Sequence, residues 1–126
     1  MSGTEFLTQA ICSGMAKSYD SLNVSYIATE LSNLQSAVQN LQGKKADFEE
    51  ISKYLINKDK EDTVEYRLVK EEIKSIDKKI KDKQDEETNL NFLKTQYETL
   101  VQQDTAEENS FKAAAKDAYA KSFDLK

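Results

Sequence analysis

Three acid pairs (Glu49–Glu50, Glu71–Glu72 and Glu107–Glu108), one thiol at Cys12 and a lysine-dense stretch from Val69 to Asn89 are the side chains with chemical potential. Paired carboxylates do acid–base work when a hydrophobic environment pushes their pKa values apart. These pairs sit in strongly charged sequence, where the expected setting is a solvated helix face. The chain has no histidine, so it lacks the commonest general base and the group that would activate Cys12 as a nucleophile. Cys12 lies between Ile11 and Gly14 and reads as a buried or interface thiol. No catalytic residue is assigned, and the chain is expected not to be an enzyme.

Cofactor and metal chemistry are equally poorly served. A lone cysteine without histidine makes no zinc ligand set, and the Glu-x-x-His pattern of di-iron bundles is impossible. Three scattered glycines, Gly3, Gly14 and Gly43, cannot build a phosphate-cradling loop. The acids of the Asp82–Glu87 segment read as a mixed-charge surface. No cofactor and no metal are expected.

The stretch 69–89 gathers Lys74, Lys78, Lys79, Lys81 and Lys83, yet its six lysines are outnumbered by seven acids. Asp77 and Lys81 are spaced as a favourable i,i+4 pair. The whole chain carries a net charge of -5 and a pI near 4.9. Such a chain lacks the electrostatic attraction behind non-specific nucleic-acid binding and is weakly repelled by anionic lipid. No nucleic-acid partner is expected. No apolar run approaches the ~20 residues that span a bilayer, and no basic segment precedes the first apolar patch as in a cleaved signal. The expected location is cytoplasmic, or exported and assembled by a leaderless route.

The elements that carry these side chains are expected to be helices. Proline is absent from all 126 residues, and tight-turn dipeptides for strand hairpins do not occur. Charged residues make up 33% and hydrophobic ones 38%, with a mean hydropathy of -0.74. That composition supplies a narrow seam rather than a thick core. From Ile27 the apolar positions run Leu31, Leu34, Val38, Leu41, Phe48 and Leu55, with Lys45 and Ser52 at the skipped places. These are heptad steps. Gly43 is expected to weaken or bend this helix rather than end it. A second seam runs Tyr66, Val69, Ile73, Ile76, Ile80, Lys83, Glu87, Leu90, Lys94, Tyr97 and Val101. Lys83 and Glu87 leave a polar gap in it, spaced to pair with each other and expected to lie opposite Asn33 to Ala37.

The fold class is therefore all-α: a long antiparallel, coiled-coil-like helical hairpin with short helical segments at both termini, forming one helical unit. The expected divisions are an N-terminal helix over 1–21, a first arm over 23–56, a connection over 57–61, a second arm over 62–103 and a C-terminal helix over 105–125. Asp62 with Glu65 has the form of a helix cap, and Asp104 with Glu107, or Thr105 with Glu108, the form of another. Arms of 35 to 40 residues would reach about 50–60 Å.

The terminal segments mix aromatic rings with small residues. The first places Leu7, Ile11, Gly14 and Met15 on one face, beside Phe6 and Ala10. The last places Phe111, Ala114, Ala115, Ala118, Ser122 and Leu125 together, near Tyr119 and Phe123. Apolar surface concentrated on thin helical ends marks an interface. The candidate contact residues are Phe6, Leu7, Ile11 and Met15 from one end, and Phe111, Ala115, Ala118, Tyr119 and Phe123 from the other. The partner is a second copy of the chain or another helical protein. A structural subunit that self-assembles into a filament, appendage or virion-like assembly is the leading expectation. A small acidic chaperone or adaptor holding a partner's amphipathic helix is the alternative. The plan of polymerising helical ends and a coiled-coil middle is similar to that of bacterial axial proteins such as flagellins and secretion-system filaments, without a shared motif.

Overall fold

A computed structural model describes residues 1–124, so Leu125, expected on the C-terminal apolar face, lies outside the described residues. Two helices pack against each other, α1 over Gly3–Asn57 and α2 over Val64–Asp124. The terminal segments are not separate helices. α1 continues through residues 21–23 and α2 through 103–105 without a break. The reason is local: serine, asparagine and threonine are only mildly unfavourable in a helix interior, and no proline intervenes. Thr105, expected as a possible cap, instead donates its hydroxyl to the Val101 carbonyl at 2.8 Å within α2. Gly43 is likewise spanned by unbroken helix.

Among the described residues, tertiary packing divides the chain into two compact units, one of residues 29–91 and one of residues 1–28 with 92–124. The first holds the turn. Here α1 ends in a Schellman motif, in which the Lys60 amide donates to the Leu55 carbonyl at 2.9 Å and the Asp59 amide to the Ile56 carbonyl at 3.1 Å. The motif needs a left-handed residue, supplied by Asp59 at φ 56°. The N-cap of α2 is Thr63, one residue beyond the expected Asp62. Its hydroxyl accepts the Tyr66 amide at 3.2 Å and donates to the Lys60 carbonyl at 2.6 Å.

The heptad residues of this unit form its seam. Leu31, Leu34 and Val38 of α1 and Val69 and Ile76 of α2 are buried, and Ser52 is buried among them. Lys45 occupies its heptad place by crossing to Asp77 at 2.7 Å, so Asp77 is spent across the hairpin rather than on Lys81. The Asp77 carboxylate, with help from Glu49, holds the Lys45 ammonium above the usual lysine range. Lys83 and Glu87 are half-buried, and no ion pair joins them among the described residues. The Lys45–Asp77 register sets them opposite roughly residues 35–39, about two positions beyond the expected 33–37, because the turn extends to Thr63 rather than Glu61.

The terminal unit contains the beginning of α1 and the end of α2. Ser2 caps α1 by accepting the Glu5 amide at 3.2 Å. From Gly3 a buried or half-buried series runs Phe6, Ala10, Ser13, Lys17, Asp20, Val24 and Ile27, with Gly14, Ser21 and Asn23 half-buried beside it. The same three–four spacing that organises the turn-containing half therefore continues to the start of α1. On α2 the matching series is Lys94, Tyr97, Val101, Asp104, Glu108, Phe111, Ala115 and Ala118.

Candidate protein-contact face

Small residues let the two helices of the terminal unit approach closely. Ala10 is 2% exposed and Ala115 4%. Gly3 lies against the Tyr119 ring, where an added Cβ would stand 2.9 Å from Cε1, and a Cβ on Gly14 would meet the Glu108 carboxylate. The Thr4 hydroxyl and the Tyr119 phenol are 3.2 Å apart, and Tyr119 stacks on Phe123 with centroids 6.0 Å apart.

The nine candidate contact residues therefore separate into two groups. Phe6, Phe111, Ala115, Ala118 and Tyr119 are buried or half-buried within this unit. Leu7, Ile11, Met15 and Phe123 are exposed. Continuation of the heptad seam causes the split: α1 can turn only one face to α2, and Phe6, Ala10 and Ser13 take it.

Sequence reasoning missed three further members of the outward face. Tyr19, Leu22 and Tyr26 are exposed along with Leu7, Ile11 and Met15. Their spacing of four, four, four, three and four residues keeps all six within a sector of about 120° on a helix advancing about 100° per residue. Met15 is 69% exposed and Leu22 70%. The signal was present as a second apolar period out of phase with the seam.

The polar side chains near this stripe are partly turned back on their own helix. Thr8 donates to the Thr4 carbonyl at 2.9 Å, Ser18 to Gly14 at 3.2 Å and Asn23 to Tyr19 at 3.1 Å. Such i−4 bonds use up donors that would otherwise face solvent or a partner. The only charged residues between Thr4 and Thr29 are Glu5, Lys17 and Asp20. Lys17 is half-buried and Asp20 buried in the seam, which leaves Glu5 as the charge on the outer face. Cys12, expected to be buried or at an interface, is exposed on this helix.

The residues considered for chemistry remain dispersed. Glu49, Glu50, Glu71, Glu72 and Glu107 are exposed, while Glu108 is ion-paired to Lys112 at 3.2 Å. Among the described residues there is no cluster of three or more potential metal ligands. No helix among them is long and apolar enough to cross a membrane.

The fold defines a two-helix hairpin whose distinguishing surface is an uncharged apolar stripe. The chain matches no protein-family model, no curated protein and no solved structure.

Proposed function

We propose that this protein is a non-enzymatic structural subunit that self-associates through the outward stripe of α1, with the charged, turn-containing half acting as a solvated arm. The observation that carries this reading is the stripe Leu7, Ile11, Met15, Tyr19, Leu22 and Tyr26, exposed on the otherwise nearly uncharged face of α1. A hairpin's outer face is ordinarily its most charged surface. Six large apolar side chains in a row on that face favour a partner surface. A second copy fits because two such faces bring no rows of like charge together, although each chain carries a net charge of -5. Burying a leucine fully is worth about 1.5–3 kcal/mol. With 70% of Leu22 still exposed, its share in a contact is about 1–2 kcal/mol.

Light-scattering mass measured across concentration, with electron microscopy of the same samples, tests the reading. The wild-type chain is expected to gain mass as concentration rises, and Met15→Glu with Leu22→Glu to shift that onset at least about tenfold higher. A wild-type chain that stays monomeric at high concentration overturns self-assembly. In that case, recovery of one defined helical partner, lost in the same double variant, would point to the adaptor alternative.

A further inference from the structure

Asp20 and Asp104 stand at heptad places that apolar side chains fill elsewhere in the seam. Asp20 is 8% exposed. The Oδ2 atom of Asp104 is shut off from solvent without a hydrogen-bond partner, a costly state for an ionised oxygen. Gly14 lies against the Glu108 side chain and Ala10 and Ala115 are both buried in the same seam, so the antiparallel pairing of the terminal unit brings Asp20 of α1 and Asp104 of α2 to one level of it. Two carboxylates so placed repel when both are ionised, whereas one proton between them makes a short O–H···O⁻ bond and satisfies the orphaned oxygen. We propose that the Asp20–Asp104 pair is a proton-operated latch: one shared proton closes the seam of the terminal unit, and loss of that proton loosens it.

The surrounding charges support a latch rather than a permanently neutralised pair. On α1, Lys17 is half-buried in the seam, and no ion pair within 4.0 Å joins it to either aspartate among the described residues. On α2, Glu107 adds negative charge near Asp104, and Glu108 is engaged by Lys112. A hydrogen bond donated by protonated Asp104 to Asp20, then burial, then the charges of Asp20 and Glu107 raise the Asp104 pKa. A raised folded pKa means the closed form binds the proton more tightly than the open one. Its stabilisation is full below the ordinary aspartate pKa of about 3.9 and is lost as pH rises through the folded pKa. A salt-bridged aspartate behaves in the opposite sense.

Hydrogen exchange of the full chain from pH 3.5 to 7, corrected for intrinsic rates, tests the latch. Protection of amides in residues 10–24 and 98–111 is expected to fall as pH rises, by up to about tenfold per pH unit between the ordinary and the raised pKa of Asp104. Asp104→Asn, and independently Asp20→Asn, should remove that fall and slow exchange at pH 7. Asp85→Asn, at an exposed site in the other unit, should leave it in place. Thermal melts of the same variants provide a second reading, with the advantage of Asp104→Asn over wild type growing as pH rises. A wild-type pH slope retained in both asparagine variants, or equally removed by Asp85→Asn, overturns the proposal.

Discussion

Ile76→Ala offers the sharpest measure of the seam. Ile76 is the largest fully buried side chain, 2% exposed, and alanine removes three of its carbons. At about 0.8 kcal/mol per buried methylene the lost transfer energy is about 2.4 kcal/mol. Any space the helices fail to close adds to that. A seam between two helices has solvent on both flanks and can contract or hydrate, so the added penalty should be small. The expected total is about 2.5–3 kcal/mol, toward the lower end of large-to-alanine changes. Ile51 lies beside the seam and is 44% exposed. Its replacement by alanine forfeits about half the transfer energy, about 1 kcal/mol. Urea unfolding followed by far-UV circular dichroism, with comparable m values, measures both. If Ile76→Ala costs no more than Ile51→Ala, the heptad face is not what holds α1 to α2.

Two helix-level changes should stabilise the chain. Asp59 is a non-glycine residue in the left-handed position of the Schellman motif, so Asp59→Gly is expected to raise unfolding free energy by about 0.5 kcal/mol. A loss in denaturant unfolding would refute the cap. An alanine Cβ at Gly43 meets nothing within 4 Å; Gly43→Ala should add about 0.5–1 kcal/mol, read as a rise in melting temperature of roughly 2–4 °C. No rise, or a fall, would mean that the helix is not continuous there.

Much of this hairpin was legible in the sequence. The seam residues from Ile27 to Leu55 and from Tyr66 to Val101 are those that the alternation of three and four picks out, because a residue's face on a helix follows from its number alone. The connection was placed within two residues. The missing detail was the left-handed Asp59, which lets Lys60 bond back to Leu55 and moves the cap from Asp62 to Thr63. The terminal halves were harder. Ser13, Lys17 and Asp20 on α1, and Asp104 and Glu108 on α2, interrupt the apolar signal at the places where the seam continues. Hydropathy therefore drew attention to Leu7, Ile11 and Met15, which the structure turns outward.

The absence of proline and the heptad spacing by themselves determined that this chain is two paired helices, since both act through local geometry. Only the tertiary structure decided which of two competing faces of α1 meets α2. Within the terminal unit the three–four spacing runs on through Ser13, Lys17 and Asp20 whatever their polarity. Pairing across the terminal unit, where Gly14 lies against Glu108, decided that Asp20 and Asp104 stand at one level of its seam. A contact between residues so widely separated is a property of the packed pair of helices, and no local pattern in either helix encodes it.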